Sequence, residues 1–288
     1  MLFLARVPRG HAQALDQLRD EVRVSDPDPP RPKNPKSDDD RDDHHGNPWD
    51  DDCGDDLETE LVTTIAGLGA VVATLPYWAP IGWAEDTYSR TGHFPQYPYQ
   101  YDDGYMMLNP VEAHGAPGPR DPFLWALRAR TEHGTDFADL SWIGVNLLLE
   151  TSPRLGIETD VRFFQEEQFG VNAPQFDTAW LGDVNVFFRF AQAEWIQMRS
   201  GLGVNFLSDR QQTDVGFNFT YAGDLYLAKP WVVSGEFDCG LLGDETLFHA
   251  RLTTGLQYRG LEAYIGYDMI DISSFHTDSL VTGLRLWF

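Results

Sequence analysis

Lysine is almost missing from this chain: Lys33, Lys36 and Lys229 are the only three in 288 residues. Basic residues total 21 against 45 acidic ones, a net charge of -24 that repels phosphate backbones and argues against a nucleic-acid partner. Cysteine is scarce as well. Cys53 and Cys239 lie far apart in unlike surroundings, so neither a disulfide framework nor a thiolate metal site is available. Long apolar runs are lacking: the uncharged stretch from Leu61 to Leu75 is about 15 residues, short of the ~20 a helix needs to cross a bilayer, and Pro76 and Pro80 interrupt its continuation. No export signal is legible, because MLFLA is too short for an apolar core and acids rather than bases precede the 61–83 run. There is no G-x-S-x-G nucleophile motif and no glycine-rich phosphate loop, so catalysis is not expected and no cofactor or metal is implied.

What is abundant is aromatic and glycine. Aromatics reach 13% and glycine 26 residues, a balance that favours strands and tight turns. Charge is unevenly spread, at -9 over residues 1–60, -4 over 61–121 and -11 over 122–288. Residues 1–56 read as a mostly disordered acidic arm. Val24 to Asp56, rich in Pro and Asp, cannot bury enough apolar surface to offset chain entropy, although Ala14, Leu15, Leu18 and Val22 ahead of it are spaced for a short helix. Residues 57–121 read as an apolar helical segment, expected to cap the short-turn mouth of a barrel over 122–288, and a linker rich in proline and aromatics.

From Phe123 to Phe288 apolar and polar residues alternate with period two, as in Ile196, Met198, Leu202, Val204 and Phe206 against Gln197, Arg199, Gly201, Gly203 and Asn205. Ten strands are predicted, at 123–132, 140–151, 155–166, 178–190, 194–207, 213–226, 231–240, 246–257, 261–271 and 279–288. The charges test the pattern. Arg128, Arg130, Arg162, Arg189, Arg199, Arg251 and Arg285 all fall on the polar parity, and so do Glu132, Glu150, Glu158, Asp160, Asp183, Asp214, Asp224, Glu236, Asp238, Glu262 and Asp268. Only Glu194 and Asp271, at strand ends, break it.

A soluble β-sandwich alternates too, with one face of each sheet wet. Three features point instead to a transmembrane barrel. Glycines crowd the polar face, which suits a filled interior better than a solvated surface. Connections alternate between short turns and longer loops (133–139, 167–177, 208–212, 241–245 and 272–278), as the two rims of an outer-membrane barrel do. The chain ends in Leu284-Arg285-Leu286-Trp287-Phe288, with the final aromatic on the apolar face.

This last strand resembles the C-terminal signature of bacterial outer-membrane β-barrels, and the resemblance of architecture covers residues 122–288. It implies an all-β, ten-stranded antiparallel transmembrane barrel in the outer membrane, partnered by outer-membrane lipid. It also implies recognition by the barrel-insertion machinery through Trp287 and Phe288. Aromatics at the strand ends, including Trp125, Phe190, Trp231 and Tyr258, suit interfacial girdles, and Cys239 on the apolar parity suits an inert thiol facing lipid.

The expected lumen is lined by Arg128, Arg130, Glu158, Asp160, Arg162, Asp183, Arg189, Arg199, Asp214, Glu236, Asp238, His249, Arg251, Glu262, Asp268 and Arg285. Ten strands enclose too narrow a space for an aqueous porin. The expected role is therefore structural, or a narrow path for small cations drawn by the acidic excess. Two alternatives are a secreted soluble β-sandwich or barrel that binds a partner, and a protease-like barrel hydrolase using loop-rim His133, His276, Asp136, Asp139, Asp271 and Asp278.

Overall fold

The structure, a computed structural model, describes residues 14–23, 74–88, 91–101, 104–108, 123–137, 140–169, 174–243 and 245–288. The predicted disordered stretch 24–56 and the apolar run 57–73 lie outside the described residues. Two compact units form, residues 1–24 with 80–288, and residues 25–79. In the second, the described residues 74–79 are helical.

The first unit is a closed antiparallel barrel of ten strands: β1 (Trp125–Thr135), β2 (Leu140–Thr151), β3 (Leu155–Phe169), β4 (Pro174–Gln192), β5 (Ile196–Ser208), β6 (Thr213–Ala228), β7 (Trp231–Leu242), β8 (Glu245–Tyr258), β9 (Leu261–Ile272) and β10 (Phe275–Trp287). Each strand pairs with its sequence neighbours. The ring shuts where β1 meets β10, from Arg128 opposite Trp287 to Thr135 opposite Leu280. One continuous cylinder leaves no pair of stacked sheets, so the sandwich alternative falls.

Period two decides which side chain goes where, and the register carries it around the ring. Leu147, Ile157, Val186, Leu202, Phe217, Leu252, Ile265 and Leu284 stand exposed on the outer wall. All seven strand arginines on the opposite parity are 5% exposed or less. The expected distribution of charge between faces is therefore observed, with apolar residues outside and charge inside.

Connection lengths do not follow the expectation. At the rim that carries Phe288, here the terminal rim, the turns are 152–154, 193–195, 229–230 and 259–260. At the distal rim they are 136–139, 170–173, 209–212, 243–244 and 273–274. The polar residues read as long loops continue the ladder, since backbone pairing is indifferent to side-chain polarity beyond the apolar wall. β1 thus runs to Thr135, and β10 begins at Phe275, opposite Ile272.

The interior glycines make room for large side chains. A methyl group at Gly134 would lie 2.2 Å from the Trp142 ring, and one at Gly156 would lie 2.2 Å from Phe187. Phe190 departs from its expected lipid-facing place. A bulge between Arg189 and Ala191 shifts the register there, and Phe190, 5% exposed, packs with Tyr221 and is covered by Ile81 and Ala84.

Candidate functional site: the barrel interior and its two mouths

The strands bring the predicted lumen residues together as a layered ion-pair network. Near the terminal rim, Arg189 binds Glu150 at 2.8 Å and Gln192 at 2.9 Å. Higher up, Asp224 bridges Arg128 and Arg199 at 2.9 and 3.0 Å, and Arg199 also grips Glu158, while Arg285 holds Glu262 at 2.9 Å. The densest layer centres on Arg251. Asp268 lies 2.8 Å from it, Glu132 3.0 Å, Asp160 3.6 Å and Glu236 3.7 Å. Arg130 and Arg162 share these carboxylates, and His249 is held between Asp238 at 2.7 Å and Asp268 at 2.9 Å.

Interior aromatics brace the guanidinium groups. Trp142 lies under Arg162 and Arg251 at 5.0 and 5.9 Å, Trp287 under Arg128 at 5.1 Å, and Tyr264 under Arg285 at 5.0 Å. Between these side chains remain cavities of about 20 Å³, beside Asp183, Asp238 and His249, and of about 10 Å³, beside Arg128 and Glu236. Each is about the space of one water molecule. Asp183 pairs with the Asn185 amide at 2.6 Å.

Asp214 does not join the lumen network. It sits at the distal mouth and binds Arg23 at 2.9 Å, because the occupant of that mouth is α1 (Ala14–Arg23). The helix buries Leu15, Leu18 and Val22, the residues whose spacing predicted it, among Trp142, Leu181, Leu247, Ile270 and Phe275. Its unpaired N-terminal amides, on Ala14 and Leu15, donate to the Glu166 carboxylate at 2.5 and 3.0 Å. Arg19 reaches Asp177 and Asp209, and Arg23 reaches Asp209 as well as Asp214. Burial would raise the Asp209 carboxyl, but the Arg23 hydrogen bond and the Gln211 and Gln212 amides hold it well below the usual carboxylate range.

Residues 91–101 and 104–108 pack at the terminal mouth, while the apolar run 57–73, expected to cap it, lies outside the described residues. Phe94, Tyr99, Tyr105 and Met106 pack against Ala126, Tyr226, Val232 and Trp287, and Tyr105 meets the Trp287 ring edge-on at 4.5 Å. The Tyr99 hydroxyl donates to the Trp231 carbonyl at 2.5 Å. Just upstream, Asp86 takes both terminal nitrogens of Arg154, at 2.6 and 2.8 Å.

No protein-family model and no curated protein matches this chain. Its chemistry is therefore read from the residues themselves. Trp287, predicted as part of an insertion signature, points inward and is 4% exposed, whereas Phe288 stands on the outer wall and exchanges backbone hydrogen bonds with Leu127. Cys239 keeps the outward parity, between Phe219 and Phe248 on the neighbouring strands. Of the loop-rim candidates, three come together and His133 stands apart from them. His276 lies between Asp271 and Asp278 on the outer face, while His133 pairs with Thr282, six residues or roughly 20 Å along β10. Asp139 lies outside the described residues.

Sequence reasoning missed the apolar lining of the distal mouth. The signal was present where alternation fails, in the doublets Phe163-Phe164, Trp180-Leu181, Phe206-Leu207 and Leu241-Leu242. In each the second residue faces inward and is buried.

Proposed function

We propose that this chain is a membrane-spanning barrel of the outer-membrane kind with a structural role, its two mouths closed by its own amino-terminal segments. One observation carries the reading: the barrel is apolar outside and charged inside. Soluble monomers rarely expose contiguous apolar patches beyond a few hundred Å², yet here Val145, Leu147 and Leu149 of β2 adjoin Ile157 of β3 and Val184 and Val186 of β4, and the wall continues around the ring. Strand lengths of 11 to 19 residues meet or exceed the ~9–11 a tilted strand needs to cross a bilayer. Among the described residues no helix is long and apolar enough to cross a membrane.

Exposed aromatics favour the same reading. Trp125, Trp231, Tyr258 and Phe288 stand outward at the terminal rim, and Phe176 and Trp180 stand outward toward the distal one, as interfacial girdles do. Phe288, last in the ladder and facing outward, is the group we assign to recognition by the insertion machinery. The one-water cavities and the paired charges favour a closed interior over a cation path. Purified protein should need detergent or lipid to stay monodisperse; a monodisperse sample without either refutes the membrane reading. Correctly inserted protein in a planar bilayer should give no stepwise current, and steady cation-selective steps would replace the structural role with a pore.

A further inference from the structure

The distal mouth has two layers of chemistry. Its floor is hydrocarbon, from Trp142, Leu181, Leu247, Ile270 and Phe275, and its rim is acidic, from Glu166, Asp177, Asp209 and Asp214. The resident helix answers both. Leu15, Leu18 and Val22 fill the floor, and Arg19 and Arg23, one turn apart on one flank, meet the acids. Such recognition uses only an apolar stripe, two arginines and a free helix N-terminus, so it reads a pattern rather than a particular sequence.

The walls of the cup are built by the strands and not by its occupant. The ten strands close into a ring by their own hydrogen bonds, and the ion pairs beneath α1 run between strand residues. Among the described residues the distal turns 209–212 and 273–274 are short. A ten-residue helix is marginal by itself in water, and α1 is ordered by this seat.

We propose that the distal mouth is a receptor for amphipathic helices bearing arginines, with α1 its resident occupant, and that a helix of the same chemistry arriving from solution takes its place. The partner is a peptide with apolar residues at i, i+3 and i+7 and arginines at i+4 and i+8 of one helix. The proposal concerns the inside of the barrel and holds whether or not the outer wall faces lipid.

The test uses the full chain carrying Leu18→Asp, which expels α1, and a fluorescent peptide of residues 10–24. Anisotropy should show saturable binding to this variant. A peptide with R19E and R23E should bind at least about tenfold more weakly for the lost charge-assisted hydrogen bonds, and an unrelated peptide with the same apolar and arginine spacing should bind within about tenfold of the first. A folded variant that binds no peptide, or only the native sequence, overturns the proposal. Should Leu18→Asp not fold, the intact chain with Gln17→Cys, spin-labelled in a background of C53S and C239S, gives the same answer. Excess unlabelled peptide should free the label, and a label still immobile at saturating peptide overturns the exchange.

Discussion

Replacing Arg251 with leucine separates a sealed interior from a wet one. The guanidinium is 4% exposed as a residue and stands within 3.7 Å of four carboxylates, those of Glu132, Asp160, Glu236 and Asp268. Arg130 and Arg162 neutralise part of that charge, so the substitution leaves two arginines and His249 to balance these four acids and Asp238. Removing one partner of a buried pair costs about 3–5 kcal/mol, because the remaining charges stay out of water. Asp160 and Asp268, both 1% exposed, lose one partner but keep Arg130, Arg162 and His249, which places the expectation in the lower half of that range. Urea unfolding of the refolded protein in micelles, followed by tryptophan fluorescence, measures it. Adding Glu132→Gln should restore about 1–2 kcal/mol, since it removes one of the repelling charges while an amide can still accept the Tyr264 hydroxyl that Glu132 accepts at 2.6 Å. A loss below about 1 kcal/mol would refute the reasoning, since only water reaching the carboxylates could screen them so well.

Leu202→Arg, on the outer wall at 58% exposure, should destabilise the barrel by about 2–4 kcal/mol in a bilayer if the site lies near mid-membrane; an unchanged folding free energy in vesicles would count against lipid contact. Trp287→Ala removes the ring that packs on Tyr105 and Tyr226 and should cost about 3–5 kcal/mol, with loss of the near-ultraviolet dichroism of that cluster. Gly134→Leu should cost at least as much as a typical overpacked core position, about 1–3 kcal/mol, because Trp142 fills the space; thermal unfolding in micelles reads it. Acid should undock α1 late. Asp209 is held low in the folded protein, so its contribution is complete above the ordinary carboxylate range near pH 4 and disappears as pH falls through its lowered value; protease cleavage within residues 14–23 should therefore stay slow at pH 5 and accelerate only below about pH 4.

The barrel was legible because one rule, period two, governs both pairing and burial over 166 residues, from Phe123 to Phe288. The rule loses information at the strand ends. His133 and Thr135 look like loop residues by polarity, yet their backbones pair with Thr282 and Leu280 as regularly as any. It also cannot tell which apolar neighbour in a doublet faces inward, so the floor of the distal cup stayed hidden in Phe163-Phe164 and Leu241-Leu242. The helix over 14–23 could be read from Leu15, Leu18 and Val22, but not its seat, because its partners Asp177, Asp209 and Asp214 lie more than 150 residues away and carry no local signature. Residues 91–108 have no periodicity at all. Their fold is set by isolated contacts, such as His93 bridging to Met107 and Phe94 to Phe123.

Why the interior is charged at all needs a physical reason, since ion pairs taken out of water add little net stability. The register supplies one. A strand slipped by one residue would turn its whole inner set toward the apolar wall. In β8 a slip would present His249 and Arg251 to the outside and draw Leu252 in, and in β3 it would expose Glu158, Asp160 and Arg162 together. If the wall faces lipid as proposed, an outward arginine costs about 2–4 kcal/mol at mid-membrane and an acid less, so wrong registers are penalised more heavily than the correct one is rewarded. Interior glycines sharpen the choice: Gly134 leaves room for Trp142 only when β1 meets β2 as observed, and Gly283 leaves it for Tyr264 only when β10 meets β9 as observed. The network thus acts mainly by excluding alternatives. The same side chains that fix the register fill the space between the walls.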